Sequence, residues 1–223
     1  MTQFTRSLVA LVALAPFMAG CATFSNKEKG AVIGAGAGAA GGAVIGHATG
    51  STTRGAIIGA IVGGVAGGVI GHQMDQQAKE LAYEIPGATV QRVGEGIAVT
   101  FPDGMLFAFD SEEILSGARA NLDRFAASMA KYPGTRAMIV GYTDTRGTAD
   151  YNQALSERRA QAAASVLVGQ GVASSRLGTV GRGETEPISD NSTDAGRQQN
   201  RRVEVAIYAD AAFQRQAKTA GSE

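Results

Sequence analysis

Arg136-Ala-Met-Ile-Val-Gly-Tyr142, running directly into Thr143-Asp-Thr-Arg-Gly147, is the stretch from which the fold can be read. A short apolar run bounded by turn residues is the pattern of a buried strand. Beyond the loop, Ala149–Val168 is expected to be a helix. It carries Asn152, Leu155 and Arg159 at i, i+3 and i+7, which a helix places on one face. The loop therefore joins a strand end, where Asp144 sits, to one wall of a helix.

Outward from this unit the pattern continues. Val90-Gln-Arg-Val93 and Ile97-Ala-Val-Thr-Phe101 flank Gly94-Glu-Gly96, a hairpin signal. Pro102-Asp-Gly104 turns the chain into Met105–Phe109, read as another strand. Asp110 or Ser111 is placed to cap a helix with Glu112 and Glu113 in its first turn. Leu115, Ala118, Leu122, Phe125 and Met129 recur every three or four residues, an apolar helix face that Pro133-Gly134 stops. Arg202–Tyr208 is a closing strand. Strands alternating with helices predict an α/β sandwich with a mixed sheet over residues 88–209. Residues 73–87 read as a linker before it and 210–223 as a flexible tail.

Composition narrows the chemistry. Of 223 residues, Lys plus Arg equal Asp plus Glu at 20 each, so no basic excess points to nucleic acid. The chain has one cysteine, Cys21, and two histidines, His47 and His72, all upstream of the expected domain. Ser-His and Cys-His nucleophile pairs and the usual zinc ligand sets are thereby removed from it. The expectation is a non-enzyme without metal or cofactor.

Residues 1–20 have the layout of a secretory signal: Arg6, then the apolar run Leu8–Phe17, too short for a comfortable membrane span. Met18-Ala19-Gly20-Cys21 resembles the bacterial lipoprotein processing box, with Met18 where Leu is usual. Small residues let the peptidase reach the backbone, and the thiol carries the diacylglyceryl group. The chain's only cysteine at the cleavage point argues against an ordinary secretory signal. Each buried acyl methylene is worth roughly 0.8 kcal/mol, so Cys21 is expected to anchor the protein in the membrane, with 21–29 as a linker. Ala22, rather than Asp, favours sorting to the outer membrane.

Glycine is the compositional anomaly. Gly30, Gly34, Gly38, Gly42, Gly46 and Gly50 are spaced by four, and so are Gly55, Gly59, Gly63, Gly67 and Gly71. Such a stripe lets helices approach closely and resembles the glycine zippers of bacterial envelope proteins. Each interior Gly costs about 0.8–1 kcal/mol against Ala, so a bilayer or a packed partner must compensate. As helices, residues 30–50 and 55–71 would rise about 31 Å and about 25 Å, near hydrocarbon thickness. A helical hairpin over 30–72 is expected, in or on the membrane or self-associated. A flexible Gly/Ala spacer is the alternative.

Gly141-Tyr-Thr-Asp-Thr-Arg-Gly147, Asn152, Leu155-Ser156 and Arg159-Ala160 together resemble the signature of OmpA-like peptidoglycan-binding domains. Phe107-Ala-Phe-Asp-Ser111 matches before it. Gly181-Arg-Gly-Glu184, Pro187, Asn191, Gly196-Arg and Asn200-Arg-Arg-Val-Glu204 match after it. The resemblance covers about residues 96–209. Tyr142 stands where the family often has His, a change expected at the pocket rim.

The resemblance implies binding to the peptide stem of peptidoglycan, chiefly its diaminopimelate, through Thr143, Asp144, Asn152, Leu155 and Arg159. A free diaminopimelate end is a zwitterion. Asp144 suits its ammonium, the Arg159 fork its carboxylate. Leu155 would give apolar contact, and Asn152 would pin the Asp144 loop or the stem backbone. Arg201 and Arg202 are open between the pocket and an ion pair with Glu184 or Glu204, and Asp110 between a helix cap and a pocket wall. The implied role is a non-covalent tether of outer membrane to cell wall, with the domain facing the periplasm. In the alternative, the chain is a glycine-zipper homo-oligomer at the membrane, and wall binding only localises it. A carboxylate-only wall-cleaving enzyme is disfavoured by the missing His and Cys.

Overall fold

The computed structural model describes residues 51–61 and 67–220. Helices α1 (Thr52–Ile61) and α2 (Gly67–Glu84) lead into strands β1 (Thr89–Val93) and β2 (Gly96–Pro102). A single helical turn, α3 (Asp103–Leu106), precedes α4 (Ser116–Lys131), β3 (Thr135–Tyr142) and α5 (Ala149–Gly169). Then come β4 (Leu177–Gly181), α6 (Asp194–Asn200), β5 (Arg202–Ala209) and α7 (Ala211–Ala220). The sheet order is β1-β2-β5-β3-β4. Among the described strands only β3 and β4 pair in parallel, so the sheet is mixed as expected.

Side chains alternate across a strand, and here both faces are covered. Ala137, Ile139, Val203, Val205 and Ile207 pack with buried residues of α2, α4 and α5. Met138, Val140, Tyr142, Ala206 and Tyr208 face the other way, onto Ala56 and Ile57 of α1. Two paired glycines set how closely α5 lies on the sheet. Gly141 on β3 and Gly181 on β4 are register partners. A Cβ at Gly141 would fall 2.2 Å from the Ser156 carbonyl oxygen, and one at Gly181 2.4 Å from Glu157.

Several expectations need correction. Residues 73–87 are no linker: helix α2 runs to Glu84, and Met74, Ala78, Leu81 and Ile85 are buried in the main core. Their spacing is helical, but Asp75-Gln-Gln and Lys79-Glu between them hide it. Buried Gln77 donates its amide to Ser128 Oγ at 3.2 Å, while its Oε1 has no hydrogen-bond partner among the described residues. The tail is not wholly flexible, since 211–220 is helical, with Ala217 buried and Phe213 against the core. Met105–Phe109 is not a strand: α3 takes its start, and Phe107 makes one bridge with Ile114. Neither Asp110 nor Ser111 caps a helix, because α4 begins only at Ser116 after Leu115. Strand β4, Gly-rich and five residues long, has no counterpart among the expected elements.

The first glycine ladder, Cys21 and the signal segment lie outside the described residues. Described parts of the second ladder fall on α1 and α2, and α1 lies on the sheet of the domain. A Cβ at Gly96 would meet Ile57 Cγ2 at 2.5 Å, so a strand glycine makes room for this helix. Among the described residues, no helix is long and apolar enough to cross a membrane.

Candidate functional site

A cavity of about 240 Å³ opens where the β3–α5 loop meets the start of β5 and the segment after α3. Thr143, Asp144, Asn152, Leu155 and Arg159, all five expected site residues, line it together. Phe109, Asp110, Arg146, Tyr151 and Arg201 complete the wall.

The loop is held by its own backbone. Thr143 N–H donates to the Gly183 carbonyl at 2.8 Å, and Asp144 Oδ1 accepts from the Arg146 amide at 2.8 Å. Gly147 takes a φ of +100° that favours glycine, and Thr148 caps α5 by accepting from the Tyr151 amide at 3.2 Å. Asn152 pins the loop from the helix: its amide donates to the Asp144 carbonyl at 3.1 Å and to Glu184 Oε2 at 2.6 Å. The Thr143 hydroxyl is buried and has no hydrogen-bond partner among the described residues.

Charges sit in two layers. At the floor, Arg159 is 1% exposed and faces Asp103, with Nη1 to Oδ1 and Nη2 to Oδ2 both 3.1 Å. Its Nε donates to the Ser111 carbonyl at 2.8 Å, and the guanidinium lies 5.2 Å from the Phe107 ring centroid. Nearer the opening, Arg201 Nη1 donates to Asp144 Oδ2 at 2.5 Å and keeps 21% of its side chain exposed. Its guanidinium sits 5.8 Å from the centre of the Phe109 ring. Burial pushes the Asp103 carboxyl up to about 6, against the pull of Arg159 and Arg201. Burial likewise lowers Arg159 from the usual arginine range. Asp110, in the left-handed region at φ 56°, accepts from the Tyr151 hydroxyl at 2.7 Å, which raises the tyrosine's pKa.

Two open questions of the sequence resolve here. Arg201 reaches the cavity, whereas Arg202, one residue on and so on the other sheet face, pairs with Glu204 at 2.6 Å. Tyr142 forms no part of the rim. Its ring lies on the opposite face under Arg202, 3.7 Å from the guanidinium, and its hydroxyl donates to Glu186 at 2.9 Å. Asp103 went unforeseen as Arg159's partner, because nothing in a Pro-Asp-Gly turn signals an ion pair 56 positions away. Among the described residues, no cluster of His, Cys, Asp or Glu is arranged to hold a metal ion.

Residues 106–201 match the model of the OmpA family, and residues 1–75 that of the YMGG-like Gly-zipper. The peptidoglycan-associated lipoprotein of Rhizobium meliloti is 38% identical over 121 residues, which cover 54% of this chain and 69% of that protein. The chain belongs to the OmpA family. A probable lipoprotein of Escherichia coli K12, YiaD, is 39% identical over 54% of this chain and 55% of its own length. The matched segment spans only 30–55% of the length of YiaD and other curated relatives, two outer membrane porin F proteins of Pseudomonas among them. Among solved structures, the cell wall anchor of the T6SS from Pseudomonas aeruginosa superposes with a TM-score of 0.54 at 32% identity. That match covers 60% of this chain and 97% of the anchor, so the OmpA fold is shared almost throughout it.

Proposed function

We propose that the domain binds the peptide stem of peptidoglycan at its diaminopimelate end. In this reading it tethers an outer-membrane lipoprotein, anchored through Cys21, to the wall from the periplasmic side. The observation that carries this is one cavity lined by the Asp144 carboxylate and the partly exposed Arg201 guanidinium, over the buried Arg159. A zwitterion fits by exchange: its ammonium takes the Asp144 oxygen that Arg201 now holds, and its carboxylate takes the guanidinium so released. Arg159 then adds charge from beneath, and the Thr143 hydroxyl and Leu155 complete the contacts. The names of the relatives, peptidoglycan-associated lipoprotein and cell wall anchor, support the same role. Many weak attachments between one membrane and one wall gain by effective concentration, so modest affinity at each site suffices.

The test is co-sedimentation of the protein with purified sacculi, with free diaminopimelate as competitor. The protein pellets with sacculi and is displaced by the amino acid. If Asp144→Ala pellets like the parent, the assignment of the pocket is wrong.

The Gly-zipper match over residues 1–75 favours a second role, self-association through the ladders. Because α1 and α2 pack into the domain, the deletion that separates the two roles removes 30–50 only. Loss of oligomers with wall binding intact would assign association to the first ladder.

A further inference from the structure

Helix α1 comes from the glycine-rich segment, yet its first turn is bonded to the loop after β4, which supports the pocket from outside its lining. Glu186, 5% exposed, meets the start of the helix with both oxygens. Thr52 N–H donates to Oε2 at 2.9 Å and the Thr52 hydroxyl to Oε1 at 2.5 Å. Arg182 Nε in turn donates to the Thr52 hydroxyl at 2.8 Å. A carboxylate on the first amides of a helix is a favourable cap. The same Glu186 accepts from Tyr142, the last residue of β3 before the loop.

Arg182 and Glu186 are the two ends of one five-residue loop, and its middle is hydrogen-bonded to two residues that line the pocket. Gly183 accepts from Thr143 N–H at 2.8 Å, and its own amide donates to Ser156 Oγ at 2.9 Å. Glu184 accepts from Asn152 at 2.6 Å. The loop thus clamps α1 with its ends and holds two cavity-lining residues with its centre. Below the clamp, Ile57 is fully buried on the sheet while Ile58, beside it, is 60% exposed.

We propose that α1 is a latch on the loop that supports the pocket. Docked, it holds residues 182–186, and through them Thr143 and Asn152, in the geometry that receives the ligand. Undocked, it frees the loop and weakens capture. In sequence, α1 lies between Cys21 and the rest of the domain. The functional consequence rests on the ligand reading given above.

The full-length protein in detergent micelles provides the test, by calorimetric titration with diaminopimelate and by amide hydrogen exchange. Ile57→Asp puts a charge where α1 meets the sheet. Thr52→Val removes the hydroxyl shared by Glu186 and Arg182 while keeping the shape. Ile58→Asp places the same charge on the exposed side of the helix. Ile57→Asp and Thr52→Val should weaken binding roughly fivefold or more and speed exchange at the Thr143 and Gly183 amides, whereas Ile58→Asp should do neither. If Ile57→Asp does not fold, Thr52→Val alone carries the comparison. Rapid exchange across 52–61 in either variant, with affinity and the two loop amides unchanged, overturns the latch. If the parent itself binds no diaminopimelate, the ligand reading fails, and the exchange at Thr143 and Gly183 still decides the coupling.

Discussion

Arg159 and Asp103 meet side by side at 3.1 Å beneath the pocket, their side chains 1% and 6% exposed. The guanidinium is thus already paired inside the protein, and Arg201 is the cation nearer the opening. This division of labour gives the two arginines different mutational signatures.

Arg159→Ala leaves Asp103 buried opposite a void and should cost about 3–5 kcal/mol of stability, read as a lower urea midpoint. Arg201→Ala removes a partly exposed group but leaves the buried Asp144 carboxylate without its cation, and should cost less, about 1–3 kcal/mol, while weakening ligand binding at least about tenfold, near 1.4 kcal/mol. Equal stability loss in the two variants would contradict the layered arrangement.

Asp144→Asn should abolish most of the attraction for an ammonium yet keep the loop, since an amide oxygen still accepts from Arg146 N–H. We expect affinity for diaminopimelate to fall by about 10- to 100-fold, the loss of one charge-assisted hydrogen bond. Titration calorimetry measures it, with the melting temperature as a check on folding.

The Asp103 carboxyl is raised from 3.8 to about 6. A raised carboxyl binds its proton more tightly folded than unfolded. Its contribution is therefore fully present below pH 3.8 and is lost as pH rises through about 6. Each tenfold gain in proton affinity on folding is worth about 1.4 kcal/mol, so the stability of the parent relative to Asp103→Asn should fall by about 3 kcal/mol between pH 4 and 7. Urea unfolding across that range decides it; a flat difference would mean that Asp103 titrates normally.

Gly141→Ala drives a methyl group into the Ser156 carbonyl, 2.2 Å away. Backbone cannot yield as a flexible side-chain tip does, so α5 must move. A loss of about 3 kcal/mol is expected from overpacking, with weaker binding because Asn152 and Leu155 ride on that helix. Thermal unfolding and sedimentation with sacculi follow the two effects.

Leu81→Ala tests whether α2 belongs to the domain. Leu81 is fully buried in the main core, so truncation should cost about 2–5 kcal/mol. A linker residue would cost almost nothing. Denaturant unfolding separates these outcomes.

Much of this protein is legible in its residues alone. The β1–β2 hairpin, β3, the long α5 and β5 follow from hydrophobic period and turn chemistry, which act over a few residues. The convergence of Thr143, Asp144, Asn152, Leu155 and Arg159 is legible too, because a strand, a seven-residue step and a helix face lie within one local unit. Other features depend on residues brought together from afar, and they emerge only in the folded molecule. Asp103 reaches Arg159 across 56 positions, Arg201 reaches Asp144 across 57, and Glu186 reaches Thr52 across 134. The same holds for α2, whose polar residues suggest a linker until Met74 and Leu81 are seen in the core. Local pattern specifies the elements; which buried charge neutralises which is set by packing, and packing leaves no period in the chain.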